Sequence, residues 1–125
     1  MTRILLIDDN ATILENTAEL LELEGYETIS ASNGREGLEK ALRLVPDIIL
    51  CDLLMPEMDG FTVLKRIGEH PDLKRIPFIF FSAKSEKIDI KMGLDSGADD
   101  YLTKPFELEG LLKSIEKCLL KKMIR

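Results

Sequence analysis

Five polar side chains in this sequence follow short apolar runs, at positions where they could meet and carry out chemistry. The acids are Asp8 and Asp9 after RILLI and Asp52 after DIILC, and the others are Ser82, which closes FIFFS, and Lys104, which follows DYLT. Carboxylates held close together repel one another and raise one another's pKa values unless cations intervene. A lysine and a bound metal ion are the cations that this group of residues suggests.

The donor atoms of this group favour Mg²⁺ and phosphoryl transfer. They are oxygens, which hard cations prefer, and a site with few carboxylates that keeps several waters suits Mg²⁺ better than Ca²⁺. A carboxylate beside Mg²⁺, an ammonium and a hydroxyl can accept a phosphoryl group, since the cations neutralise charge, the hydroxyl donates a hydrogen bond and the carboxylate attacks. Asp52 is the predicted nucleophile, because it stands alone at the end of its strand.

Short apolar runs alternate with longer amphipathic segments, and this alternation predicts the elements that carry these side chains. Apolar runs predict strands at 3–7, 27–31, 47–51, 78–82 and 100–103. Helical periodicity and capping residues predict helices at about 10–25, 34–45, 60–69, from Ser82 or Ser85 to Gly97, and from Leu108 onward. Five such β-then-α units predict a single α/β domain over residues 1–125, with a parallel sheet covered by helices on both faces. Ligands of such sheets bind beyond the carboxyl ends of the strands, where the five polar side chains converge.

The overall composition argues against several other functions. The 125 residues are 45% hydrophobic, enough for the core of one domain, and they carry a net charge of −6. That charge argues against direct nucleic-acid binding, because phosphate backbones are held mainly by clustered lysine and arginine. Cys51 and Cys118 lack the paired spacing of a zinc site, which predicts buried thiols in a reducing compartment. No apolar run approaches the ~18 residues of a membrane span, so a soluble, cytoplasmic protein is expected.

Four segments of the sequence carry a family resemblance. LLIDDN, IILCDLLMPEMDGF, FIFFSAKSE and GADDYLTKPF together resemble the receiver domain of two-component response regulators, over all 125 residues. The resemblance implies a flavodoxin-like, doubly wound fold with strand order 2-1-3-4-5. It also implies that Asp52 is the phosphoacceptor, that Asp8 and Asp9 join it in the Mg²⁺ site, and that Ser82 and Lys104 bind the phosphoryl group.

The same resemblance implies further roles around the site. The backbone carbonyl of Leu54 would be a third protein ligand of the metal, Tyr101 would be the aromatic switch, and the Lys104–Pro105 peptide bond would be cis. A sensor histidine kinase or a phosphotransfer protein would donate the phosphoryl group. The output would leave through the surface of helix 4, strand 5 and helix 5, toward an effector domain or protein.

The fourth predicted helix has apolar residues on two faces. Helical spacing places Ile88 with Met92 on one side and Ile90 with Leu94 on nearly the opposite side, so both pairs cannot face the core. We expect Ile90 and Leu94 to form a partly exposed patch beside Tyr101, and to mediate a homodimer or an effector contact when Asp52 is phosphorylated. The alternative is a rotated helix, in which these two residues are core and Met92 is exposed.

Three other functions fit parts of the pattern. A receiver-like docking module would share the whole sequence pattern without using the phosphorylation. A haloacid-dehalogenase-type phosphatase also uses an aspartyl phosphate. In that class a second acid follows the nucleophile by two residues, whereas this sequence has Leu54 at the corresponding position. A flavodoxin-like FMN carrier needs glycine and hydroxyl residues in its first loop, where this sequence has DDNAT. The sequence therefore predicts a signalling switch rather than an enzyme.

Overall fold

The computed structural model describes the backbone of residues 1–124 and the side chains of residues 1–123. Its strands are β1 (Arg3–Ile7), β2 (Glu27–Ala31), β3 (Ile48–Cys51), β4 (Phe78–Ser82) and β5 (Asp100–Thr103). Its helices are α1 (Ala11–Leu23), α2 (Gly34–Leu44), α3 (Gly60–Glu69), α4 (Lys87–Asp95) and α5 (Leu108–Ile124). This order confirms the predicted alternation of strands and helices. None of the helices in this part of the chain is both long and apolar enough to cross a lipid bilayer.

The five strands form one parallel sheet in the order β2-β1-β3-β4-β5, which confirms the predicted strand order. Every residue of β3 and β4 is buried, as expected for central strands covered by helices on both faces. In β2, at one edge of the sheet, only the last residue is fully buried. Because all strands are parallel, their carboxyl ends lie along the same edge.

The sheet divides the hydrophobic core into two layers. Along β4, Phe78 and Phe80 pack in the layer that contains α2 and α3, and Phe81 packs in the layer that contains α1 and α5. This alternation follows from the two-residue period of a strand. Cys51 lies in the first layer and Cys118 in the second, and both are buried free thiols, as predicted.

Side-chain caps fix the starts of the first three helices. Asn10, Asn33 and Asp59 each accept a hydrogen bond from the backbone N–H three residues further on, at 3.1, 2.8 and 2.9 Å. Such caps satisfy N–H groups that have no partner inside the helix. The first of them confirms the predicted start of α1 at Asn10.

The start of α4 differs from the prediction. The sequence pointed to a cap at Ser82 or Ser85, but the helix begins after Glu86, whose backbone N–H donates to the Asp89 carboxylate at 3.2 Å. Ser82 is the last residue of β4 and lies opposite Thr103 of β5. Because Ser82 is held in the sheet, a Glu–Asp capping box forms the start of the helix instead. The Ser82 hydroxyl therefore stays at the edge of the sheet.

Candidate functional site

The acid cluster forms where β1 and β3 end side by side. The parallel register pairs Ile7 with Cys51, so the residues that follow them are also neighbours, and the Asp52 N–H donates to the Ile7 carbonyl at 2.8 Å. Carboxylate oxygens of Asp8, Asp9 and Asp52 all lie within 4.8 Å of one another. Asp8 and Asp52 are buried and Asp9 is exposed. The structure thus brings together the three acids that the sequence predicted.

Lys104 brings a positive charge to this cluster. Its ammonium donates to Asp8 Oδ2 at 2.7 Å and lies 3.6 Å from Asp52 Oδ2. The Lys104 backbone N–H donates to the Ser82 carbonyl at 2.8 Å, which fixes the start of this side chain at the end of β5. The following peptide bond, Lys104–Pro105, is cis, as predicted.

Asp8 and Asp52 have different numbers of hydrogen-bond donors. Besides Lys104, Asp8 accepts the Asn10 backbone N–H at 2.9 Å. Among the described residues, Asp52 accepts one long hydrogen bond, 3.4 Å, from the Leu54 backbone N–H. Burial, followed by the charge of Asp8, raises the pKa of Asp52 to about 6, and the opposing effects of Lys104 and the Leu54 N–H do not cancel this rise. Asp52 is therefore a carboxylate with a raised pKa, and it has fewer hydrogen-bond partners than Asp8.

The donor set fits a magnesium ion. The cluster offers oxygen atoms from three carboxylates, and the one ammonium beside them offsets only part of their negative charge. Hard divalent cations prefer such oxygen donors. Asp8, Asp9 and Asp52 are the side chains that would hold the ion, and a ligand role for the Leu54 carbonyl remains a prediction.

Ser82 and Tyr101 both hydrogen-bond to the backbone of Lys84, in the loop between β4 and α4. Ser82 is fully buried, and its Oγ accepts the Lys84 N–H at 3.2 Å. Tyr101 is also buried, and its hydroxyl donates to the Lys84 carbonyl at 2.7 Å. An added Cβ at Gly93 would lie 2.6 Å from Tyr101 Cδ2, so the tyrosine ring packs directly on the backbone of α4. The predicted switch aromatic therefore points inward in this structure.

The side-chain exposure of α4 distinguishes the two sequence-based alternatives for this helix. Leu94 is 42% exposed and Ile90 is half-buried, which agrees with a partly exposed patch. Ile88 and Met92 are also exposed, at 57% and 54%, so the two pairs do not both face the core, as expected, and the rotated helix with Ile90 and Leu94 as core residues is wrong. Gly93 is the buried residue of α4, and its contact with the tyrosine ring takes the place of a larger side chain.

A comparison with protein families decides the identity of this fold and site. The sequence matches the response regulator receiver domain over residues 4–116. The chain belongs to this receiver domain family. The match favours a phosphorylatable signalling switch over the docking-module and phosphatase alternatives.

Individual relatives agree with this assignment. This receiver domain is 41% identical over 119 residues to the DNA-binding dual master transcriptional regulator RpaA of Synechocystis, covering 95% of this chain and 49% of that protein. It is 36% identical over 119 residues to the protein PilH of Pseudomonas aeruginosa, covering 95% of this chain and 98% of that protein. The chain thus spans about half the length of RpaA and nearly all of PilH.

Solved structures of other receiver domains have the same fold. Chemotaxis protein CheY4 of Vibrio cholerae superposes with a TM-score of 0.88 at 32% identity, covering 94% of this chain and 98% of that one. A response regulator receiver domain from Clostridium thermocellum gives a TM-score of 0.91 at 28% identity, covering 99% and 98%. These similarities confirm the flavodoxin-like, doubly wound fold.

The sequence did not predict every contact of the receiver site. Lys104 lies over the ring of Phe81, with its ammonium 4.6 Å from the ring centroid. The run FIFFS indicated a buried strand, but an apolar run does not show which of its rings meets a charge. The alternation of the strand, which puts Phe81 on the opposite face from Phe80, is the one signal that separates these two rings.

Proposed function

We propose that residues 1–125 form one receiver domain in which Asp52 accepts a phosphoryl group from the phosphohistidine of a sensor kinase or phosphotransfer protein. The observation that supports Asp52 most strongly is its environment: a carboxylate that is 6% exposed, has a pKa raised to about 6, and has one weak hydrogen bond. Asp8 is bound by Lys104 and the Asn10 N–H, and Asp9 is exposed. Asp52 is the acid with oxygens left to react.

In the transfer step, a carboxylate oxygen of Asp52 attacks the phosphorus atom. The new O–P bond forms as the N–P bond of the phosphohistidine breaks, and the electron pair of the broken bond returns to the imidazole nitrogen. At neutral pH Asp52 is mostly ionised, since its pKa is about 6, and its raised basicity favours attack. Lys104 and the hydroxyl of Ser82 stabilise the charge on the phosphoryl oxygens.

Asp8, Asp9, Asp52 and the Leu54 carbonyl would hold a Mg²⁺ ion in this site. When bound, the ion would neutralise negative charge on the phosphoryl oxygens and on the acids. The domain speeds its own modification, but its role is that of a switch rather than an enzyme. Its free buried thiols, Cys51 and Cys118, suit the reducing cytoplasm that we propose for it.

The output surface is proposed to be the α4, β5 and α5 face. Ile90, Leu94 and Tyr101 would contact an effector domain, an effector protein or a second copy of the chain after phosphorylation. The exposed fraction of Leu94 and the contact between Tyr101 and α4 support this assignment, because a change in the tyrosine ring would reach the helix directly.

Labelling with acetyl phosphate tests the phosphoacceptor. In the presence of Mg²⁺, intact mass measurement of the wild-type protein should show one phosphoryl adduct, and Asp52→Asn should show none. Asp99→Asn, at the opposite end of the sheet, is the matched control and should be labelled like the wild type. An undiminished adduct on Asp52→Asn would place the acceptor elsewhere.

A further inference from the structure

Phe81 is a buried aromatic residue that contacts Lys104, the lysine whose ammonium lies beside the acid cluster. The Lys104 ammonium lies over its ring at 4.6 Å from the centroid. Phe81 is fully buried, and the Lys104 side chain is only 14% exposed. An ammonium is attracted to the negative face of an aromatic ring, and the attraction is stronger where water is excluded. The contact therefore lies in the environment where a cation–π interaction is strongest.

The ring of Phe81 is itself held by the loop that carries Lys104. Phe106, two residues after the lysine, meets Phe81 edge to face, with ring centroids 6.2 Å apart and an interplanar angle of 68°. Such edge-to-face pairs are a favoured aromatic geometry. The loop thus contacts Phe81 twice, through an ammonium on the face of the ring and through a second ring at its edge.

Lys104 needs such a contact because its long side chain could otherwise adopt a second position. It also lines an open groove of 490 Å³ between α1 and this loop, together with Ile13, Thr17 and Phe106. The attraction of the acids for the ammonium does not stay constant, since the charge of Asp52 changes when it is phosphorylated, although that of Asp8 does not. The ring of Phe81 carries no charge that changes during the reaction, so its attraction for the ammonium persists.

We propose that Phe81 is a positioning residue for phosphoryl transfer: its ring face holds the Lys104 ammonium between Asp8 and Asp52. This role rests on the function proposed above for Asp52. The ring acts through Lys104, whose ammonium it contacts.

Stepwise fluorination of the ring tests this role without changing its shape much. Phenylalanine at position 81 is replaced by its mono-, di- and trifluorinated analogues, which progressively weaken the negative electrostatic potential of the ring face. The rate at which acetyl phosphate and Mg²⁺ label Asp52 should fall with each fluorine, to about fivefold below wild type. The matched control is the same series at Phe78, a buried ring of the same strand that packs against Phe80 on the other face of the sheet.

The fluorinated series separates positioning from packing. A trend at position 81 with no trend at position 78 supports the proposal, because a ring that only fills space would be indifferent to its charge distribution. A flat series at 81, or equal trends at both positions, overturns it. Failure of the proposed function has a different signature, since the wild-type protein would then carry no adduct at Asp52 and the role in phosphoryl transfer would fall with it.

A double-mutant cycle on the metal-free protein measures the contact independently of phosphorylation. Thermal melts give the Tm of Phe81→Leu, of Lys104→Met and of the double variant. If the ring binds the ammonium, the double variant should lose about 3 °C less than the sum of the two single losses in Tm. Phe78→Leu combined with Lys104→Met should be additive. Additive losses at Phe81 would show that the ring does not hold Lys104.

Discussion

The two ends of the sheet each carry a group of three aspartates, and one member of each group, Asp52 and Asp100, has a pKa shifted in the opposite direction from the other. At the carboxyl end, the acids are Asp8, Asp9 and Asp52. At the amino end, where β1, β4 and β5 begin, they are Asp47, Asp99 and Asp100. The comparison shows what separates an acid that supports the fold from an acid that is available for chemistry.

Acids at the amino end accept hydrogen bonds from the backbone where strands begin. Asp47 accepts the N–H of Arg3 at 2.8 Å, and Asp99 accepts the N–H of Phe78 at 2.9 Å. A carboxylate that accepts a backbone N–H satisfies a donor that would otherwise lack a partner. These acids therefore help to fix the starts of β1 and β4.

Asp100 has the fullest set of donors at this end. It accepts from the Ser114 hydroxyl, from the Lys117 ammonium at 3.0 Å and from the Tyr101 N–H at 2.9 Å. Burial works to raise the pKa of Asp100, but the hydrogen bonds from Ser114, Lys117 and the Tyr101 N–H outweigh it, so the pKa is lowered. At the carboxyl end, burial, followed by the charge of Asp8, raises the pKa of Asp52 to about 6. The donors and the neighbouring charges, rather than the residue type, decide the difference between these two aspartates.

The largest expected effect is a difference in sign between the two ends. In metal-free protein at neutral pH, Asp100→Asn should lower the free energy of unfolding by about 2 kcal/mol, because it weakens hydrogen bonds to a charged acceptor. Asp52→Asn should raise it by about 1 kcal/mol, because it removes a charge that burial and Asp8 disfavour. Urea denaturation measures both changes, and changes of the same sign would break the comparison.

Magnesium should act at one end only. A ligand that binds the native state at ten times its Kd raises the free energy of unfolding by about 1.4 kcal/mol. Thermal melts of the wild type should therefore shift upward with Mg²⁺, and Asp9→Asn should lose most of this shift. Asp99→Asn, the control at the amino end, should respond like the wild type. Coincident wild-type melts with and without the ion would contradict the assignment of the site.

The two ends should also differ in their dependence on pH. The pKa of Asp52 is raised to about 6 in the fold, above an unfolded value of about 4, so the native state binds more protons between these values. Its contribution to stability is therefore lost as pH rises through this window. The stabilising effect of Asp52→Asn should be small near the lower value and should grow to a plateau above the higher one.

Asp100 should give the opposite profile. Its lowered pKa means that its contribution is full above the unfolded value and is lost as pH falls through the folded value. The cost of Asp100→Asn should therefore be constant at neutral pH and should shrink in acid. Urea denaturation at a series of pH values measures both profiles in metal-free protein. Parallel profiles for the two variants would remove the distinction between the ends.

The smallest expected effect concerns backbone strain, which also occurs once at each end. Val45, between α2 and β3, has φ 43°, and Glu57, in the loop after β3, has φ 67°. A β-branched residue is disfavoured in this left-handed region, and the Val45 side chain is half exposed. Val45→Gly should therefore raise the free energy of unfolding by about 0.5 kcal/mol, after the extra entropy of glycine in the unfolded chain is subtracted. Glu57→Gly should gain less, and a loss on Val45→Gly in urea denaturation would contradict this.

The residues at the carboxyl end could be predicted because the topology brings them together. Parallel strands end at one edge, so Asp8, Asp52 and Lys104 converge once five strands with intervening helices are recognised. The position of each residue at a strand end is enough for this prediction, without any knowledge of side-chain contacts.

The features that the sequence did not predict depend on contacts that an apolar pattern does not encode. The predicted start of α4 was wrong because Ser82 belongs to the sheet and the Glu86–Asp89 pair caps the helix instead. The sequence did not predict that Gly93 is the residue of α4 that lies against Tyr101, because no periodicity distinguishes such a glycine. The acids at the amino end were not predicted either, since their roles depend on donors far away in sequence.

The close contact between Gly93 and Tyr101 has a genetic consequence. A methyl group at position 93 would lie 2.6 Å from the ring, too close for both to keep their places, so either the ring or the helix must shift. The acids and Lys104 belong to other elements, and such an allele would leave them unchanged. On the proposed function, we therefore predict that Gly93→Ala is a separation-of-function allele: its product should still be phosphorylated, yet the strain that carries it should show a defect in the downstream response.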